Sequence, residues 1–138
     1  MLVGDRTSID AFVKIKPTGG EGDVVIGTHC VINSGTVIYS GNGVKIGNGV
    51  LIAANCTIAP VNHAYQDARI PIREQGFQPS RGGIVIGDDV WLGANCVVLD
   101  GADVGHGAVV GAGSVVRGKL EPLGVFVGNP MRQLASRS

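Results

Sequence analysis

Large aromatic side chains are nearly missing from this sequence, which has one Trp, two Tyr and three Phe in 138 residues. A core that cannot draw on such bulk has to be filled by stacked small aliphatic residues. An excess of charge is missing too, because eleven basic residues face eleven acidic ones. Zero net charge argues against a general nucleic-acid binder, which needs a basic face, and leaves a local anion site open. No apolar run approaches the length of a membrane span. The opening MLVGDRTSID carries an early acid and no apolar core, so it does not read as a signal peptide. Cysteine is limited to three residues, an odd number with no CxxC pair. That usage fits a reducing cytoplasm, which is the expected location.

What the sequence has in quantity is Gly, at 23 residues, roughly double the usual share. It also has a period. Aliphatic residues return every six positions at Ile26, Ile32 and Ile38, then at Ile46, Ile52 and Ile58. They resume at Ile86, Leu92, Val98, Val104, Val110 and Val116. The following residue is usually small, as in Gly27, Gly47, Ala53, Gly87 and Gly105, and four positions on comes another small or β-branched one. An amphipathic helix would repeat near 3.6 residues and a plain strand near two. A period of six with a Gly-rich corner fits a short strand, a turn and another short strand. Three such units close one coil, and stacked coils pair strand on strand about 4.8 Å apart. The aliphatic residues then form ladders inside a triangular prism, with Cys30, Cys56 and Cys96 at inward small-residue positions as buried structural thiols.

This pattern resembles the left-handed parallel β-helix of the hexapeptide-repeat family, an all-β fold. The left hand is what the resemblance implies, since the general rule for parallel connections gives the right hand. The expected organisation is a single domain over residues 1–138. Repeats run over about 26–116 in about four coils, with an extruded loop at about 61–84 and a C-terminal segment at 117–138.

The loop APVNHAYQDARIPIREQGFQPSRGG holds Pro60, Pro71 and Pro79, which cannot continue a ladder. A long loop leaving a rigid scaffold is usually functional or disordered, and His63, Tyr65, Gln75 and Phe77 argue against disorder. His63 sits at the loop's root, where a rigid coil fixes its backbone and an imidazole suits proton abstraction from a hydroxyl or amine. Spacing alone also allows a surface histidine at a loop edge. Asn62, Tyr65 and Gln75 are the loop's candidates for acceptor binding. Gly93 and Gly111 are eighteen residues apart, as are Ala94 and Ala112. Each pair therefore stacks in neighbouring coils and gives a strip without bulky side chains.

The stretches KIGNGVLIAANCTIAPVNHAY, IVIGDDVWLGANCVVL, VVGAGSVV and GNPMRQL, in that order, resemble the sugar O-acetyltransferases of this superfamily. The galactoside, maltose, O-antigen and capsule acetyltransferases are among them. The resemblance implies an acetyl-CoA-dependent acyltransferase acting on a sugar or glycan hydroxyl, as in polysaccharide biosynthesis. His63 would be the general base in direct transfer, and Asn33 an acceptor ligand. It also implies a coenzyme groove along Trp91, Gly93, Ala94, Gly111 and Ala112. Arg117, Lys119 and Arg132 of the closing segment would supply the basic end for the coenzyme phosphates, Arg132 foremost, and Pro130 would hold the turn. A homotrimer with active sites between subunits completes the set of implications. Where galactoside-type relatives carry an Asp pair, this sequence has Ser40 and Gly41, which argues against a galactoside-like acceptor.

Three rivals remain at this level. One keeps the chemistry but uses an amine acceptor, such as an amino sugar. One is a γ-carbonic-anhydrase-like protein, suggested by VGHGA around His106. That family needs a second His five residues on, where this chain has Gly111, so no metal is expected; His29, His63 and His106 have the wrong spacing for a zinc site. The third is a non-catalytic scaffold of stacked repeats.

Overall fold

Short strands, most of two or three residues, follow one another through residues 1–138, all of which the computed structural model describes. The first coil consists of β1 (Leu2–Val3), β2 (Ser8–Ile9) and β3 (Lys14–Lys16). The second holds β4 (Val24–Ile26), β5 (Val31–Ile32) and β6 (Val37–Tyr39), and the third β7 (Val44–Ile46), β8 (Leu51–Ile52) and β9 (Thr57–Ala59). Beyond the long loop come β10 (Ile84–Ile86), β11 (Trp91–Leu92) and β12 (Val97–Leu99), then β13 (Asp103–Val104), β14 (Val109–Val110) and β15 (Val115–Val116). The last coil has β16 (Lys119–Leu120) and β17 (Gly124–Gly128), and β18 (Met131–Ser136) folds back antiparallel on β17.

These strands make three parallel sheets, the faces of a prism. The first face runs β1-β4-β7-β10-β13-β16, the second runs from β2 through β5, β8, β11 and β14 to β17, and the third runs β3-β6-β9-β12-β15. The fold is the left-handed parallel β-helix implied by the resemblance. It has about six turns, where four were expected. The repeats start at Leu2 rather than near residue 26, and they run past 116 through β16 and β17. Ile84, placed in the loop by the sequence, already belongs to β10.

The register turns the six-residue period into three columns. Val3, Ile26, Ile46, Ile86, Val104 and Leu120 stack on the first face. Ile9, Ile32, Ile52, Leu92, Val110 and Phe126 stack on the second, and Ile15, Ile38, Ile58, Val98 and Val116 on the third. In the middle coils these side chains are buried, Ile32, Ile38, Ile52 and Ile58 completely. Each such burial contributes about 1.5–3 kcal/mol, so length of column replaces the aromatic bulk that the sequence lacks.

The corners turn on left-handed backbone. On the edge between the second and third faces, Gly35 (φ 78°), Asn55 (φ 60°), Asn95 (φ 60°) and Gly113 (φ 72°) occupy equivalent places. The N–H of each later one donates to the preceding coil: Asn55 to the Ser34 carbonyl, Asn95 to Ala54 and Gly113 to Ala94. Gly and Asn tolerate this conformation best. Cys56 and Cys96 fill inward slots beside these corners and Cys30 the slot beside His29 on the edge between the first and second faces; all three are fully buried. Each S–H donates to a carbonyl of the next coil, Cys30 to Gly47 at 3.1 Å, Cys56 to Gly93 at 3.2 Å and Cys96 to Gly111 at 3.2 Å. The neighbouring Cys96 thiol and burial push the Cys56 thiol well up, which suits a packing role rather than a nucleophile.

Candidate functional site

The one large interruption leaves the prism after β9, at the edge between the third and first faces. The chain projects there over residues 60–83 and returns to the same register, since β10 pairs directly with β7 (Ile46 with Ile86). The loop's two legs are tied to each other. Gln78 N–H donates to the Asn62 carbonyl at 2.8 Å, Ala64 N–H donates to Gly76 at 3.0 Å, and His63 and Phe77 form an antiparallel bridge. The His63 imidazole also packs on the Phe77 ring, centroids 5.0 Å apart and tilted by 35°. This contact orients an otherwise exposed ring. Farther out, the Gln75 amide donates to the Asp67 and Ile70 carbonyls at 2.8 and 2.7 Å and accepts from Asp67 N–H at 3.3 Å. Gln75 thus staples the loop tip and does not border the His63 cavities.

His63 stands between two hollows. The larger, about 420 Å³, is bordered by Asn62, His63 and Tyr65 from one leg and by Gln78 and Arg81 from the other. Leu99, Asp100 and Arg117 from the adjoining coils complete it. The smaller, about 290 Å³, lies against Tyr39, Val61 and Phe77. Two of the expected acceptor ligands, Asn62 and Tyr65, therefore share a cavity with His63.

Asp100, which the sequence did not single out, anchors this region. It is 4% exposed. Its carboxylate accepts from Arg81 N–H at 2.9 Å, Gly83 N–H at 2.9 Å and the Asn42 amide at 3.1 Å. The returning leg is thereby pinned to the coil through three neutral donors, which satisfy a buried carboxylate without an ion pair. The signal for it was in the sequence: the slot two residues after the third-face aliphatic holds Ser40 and Pro60 in earlier coils and Asp100 here. Gln78 and Arg81 had no such periodic mark.

The expected coenzyme strip lies on a different edge. Leu92 pairs with Val110, so Gly93 stacks on Gly111 at the edge between the second and third faces. Gly93 is buried, and a Cβ there would come within 2.6 Å of the Ala112 nitrogen. Its bareness lets two coils close up. Ala94 is half-buried and Ala112 exposed, so these two present the surface of the strip. Trp91 projects from the second face, 49% exposed, between Leu51 and Val109.

Asn33 belongs to the same edge as Gly93. Its amide donates to the Ile52 carbonyl at 2.8 Å. The left-handed corner residue of that turn is Gly35. At the C-terminal end, Arg117, Lys119, Pro130 and Met131 border a groove of about 450 Å³. Arg132 is exposed on β18 opposite Val127 and lies outside that groove. Arg117 borders both this groove and the His63 cavity. His29 and His106 are exposed at the edge between the first and second faces, apart from His63, and no cluster of metal-ligating side chains forms.

Comparisons with known proteins agree with this geometry. Residues 83–118 match the model of the bacterial transferase hexapeptide (six repeats), and residues 23–60 match that of the hexapeptide repeat of succinyl-transferase. A hexapeptide-repeat acetyltransferase of Vibrio cholerae, solved in complex with acetyl coenzyme A, is 31% identical. It superposes with a TM-score of 0.84 over 99% of this chain and 71% of its own. The chain belongs to the hexapeptide-repeat transferase family. A maltose O-acetyltransferase from Clostridium difficile is 25% identical, with a TM-score of 0.66 over 99% of this chain and 69% of its own. Among curated relatives, a probable acetyltransferase of Mycobacterium tuberculosis is 33% identical over 98% of this chain and 42% of its own length. A chloramphenicol acetyltransferase of Agrobacterium fabrum is 30% identical over 88% of this chain and 55% of its own. The chain spans about half the length of these two curated relatives or less. No helix is long and apolar enough to cross a membrane.

Proposed function

We propose that this chain is an acetyltransferase that uses acetyl coenzyme A as co-substrate and a hydroxyl of a sugar or glycan precursor as acceptor. The observation that carries this reading is His63, held by Phe77 at the root of a loop and opening onto a polar cavity. The imidazole takes the hydroxyl proton as the oxygen attacks the thioester carbonyl. The carbon–sulfur bond breaks, the acetyl group remains on the oxygen, and the proton passes from the imidazole to the departing thiolate, which restores the base. The acetyl-coenzyme-A complex of the Vibrio cholerae relative supports the choice of coenzyme.

The Ala94–Ala112 strip and His63 stand on different edges of one chain. A second copy is the simplest way to bring a strip edge against a His63 edge, and cyclic symmetry lets identical copies close without open-ended growth. We therefore propose a homotrimer with the site between subunits, the number three resting on the family resemblance. In that assembly Trp91 and its apolar neighbours on the second face would be covered.

The test is incubation with acetyl coenzyme A and a panel of sugars and amino sugars, with a thiol reagent reading coenzyme release. Light scattering is run in parallel over a dilution series. Acceptor-dependent release confined to the trimer is expected. Release that no acceptor in the panel stimulates would overturn the acetyl-transfer reading, and a fully active monomer of 14.1 kDa would overturn the shared site. N-acetylation in place of O-acetylation would show as activity on the amino sugars alone. Ala112→Trp should abolish coenzyme binding in calorimetry while the fold persists, because position 112 faces outward. Unchanged affinity would move the coenzyme off this strip.

A further inference from the structure

The His63 cavity contains more positive charge than its proposed base requires. Arg81 arrives from the returning leg of the loop and Arg117 from the corner after β15, and both border the hollow that contains His63. The chain's ion pairs join the amino terminus to Asp23, Arg69 to Asp67, Arg73 to Glu74 and Arg137 to Asp89. Arg81 and Arg117 take part in none of them. The nearest carboxylate in the cavity wall is that of Asp100, which is buried and already accepts from two backbone N–H groups and the Asn42 amide. It fixes the backbone of Arg81 in place and leaves the guanidinium free. Two unpaired guanidinium groups beside one occupied carboxylate give the cavity a positive balance in a chain whose net charge is zero.

We propose that Arg81 and Arg117 form an anion subsite for the acceptor, so that the preferred acceptor is a phosphorylated sugar rather than a neutral one. The proposal rests on the acetyl-transfer reading for the direction of attack. Each guanidinium offers a fork of N–H donors suited to two oxygens. Two forks from separate elements match the oxygens of a phosphate group better than a carboxylate, which one fork already saturates. The coenzyme's own phosphates do not compete for this place. Its thioester carbon must lie within about 3–3.5 Å of the attacking oxygen, and its phosphates sit a full pantetheine arm away. Cations bordering the base therefore address the acceptor, and Lys119 in the adjoining groove remains for the coenzyme.

The test is a titration with inorganic pyrophosphate at fixed pH and ionic strength, followed by the NMR signal of the His63 ring and repeated with saturating coenzyme A. Arg81→Gln and Arg117→Gln are run beside the unaltered protein. Pyrophosphate should shift the His63 signal with coenzyme A present, and each variant should weaken its binding about tenfold or more, the effect of losing a charge-assisted contact. In turnover assays the preference for a hexose 1-phosphate over the free hexose should fall by the same factor in the variants. Displacement of pyrophosphate by coenzyme A would overturn the proposal and assign the arginines to the coenzyme. Failure of pyrophosphate to bind at all would leave them as solvated surface charges and overturn it equally. Pyrophosphate binding in a protein that never releases coenzyme A would uphold the subsite and defeat the acetyl-transfer reading alone.

Discussion

His63→Ala should lower kcat by at least about a hundredfold, the usual contribution of a positioned general base, and leave the affinity for coenzyme A unchanged. The split between the two quantities is the informative part. In the structure His63 touches the Phe77 ring and opens onto the cavity bordered by Asn62 and Tyr65, whereas the proposed strip for the pantetheine arm lies on another edge of the prism. Loss of the imidazole should therefore remove proton transfer without removing the coenzyme's seat. Because the ring also helps bind the loop's two legs, Phe77→Leu serves as the control. It keeps an apolar contact under an intact base, so kcat should fall far less than in His63→Ala. Steady-state rates with calorimetric coenzyme affinities check both. Near-normal turnover by the alanine variant would remove His63 from the chemistry and require another group to take the acceptor proton.

Ile52→Ala should cost about 2–5 kcal/mol of folding stability, the range for deleting a large buried aliphatic side chain. Ile52 is completely buried in the second-face column, with Ile32 on one side and Leu92 on the other. A prism this narrow has no second layer of side chains that could move into the gap. Lys45, exposed on the first face between Val25 and Val85, is the matched surface position. Lys45→Ala should stay within about 0.5 kcal/mol of the unaltered chain. Urea unfolding at one protein concentration makes the comparison, since subunit association would make the midpoint concentration-dependent. Equal effects at the two positions would mean that the columns are not the source of stability.

The interior was legible because its rule is arithmetic. Ile26, Ile32 and Ile38 announce a spacing, and the register sets one of them in each of the three columns, paired with Ile46, Ile52 and Ile58 of the next coil. The first coil obeys the same rule at Val3, Ile9 and Ile15. Its mark is weaker because the chain between Ile15 and Ile26 is longer than a corner, which breaks the period. Leu120 and Phe126 were missed for a similar reason, since Leu120 follows Val116 by four residues instead of six. The site was only partly legible. His63 could be found because an interruption in a period marks its own root. Gln78 and Arg81 could not, because their positions depend on how the returning leg folds back against Asn62 and Asp100. Gln75 looked like a ligand by residue type, yet its amide is engaged inside the loop.

The direct pairing of β7 with β10 has an evolutionary consequence. The prism winds on across the loop as though those residues were absent, and the loop's legs carry their own fastening at His63–Phe77 and Asn62–Gln78. Such an insert behaves as a cassette. Its outer portion can be lengthened, shortened or grafted from another family member without retuning the columns beneath it. A lineage of these proteins can thus reshape the cavity walls that the loop supplies while inheriting the columns and the edge around Ala94 and Ala112 unchanged.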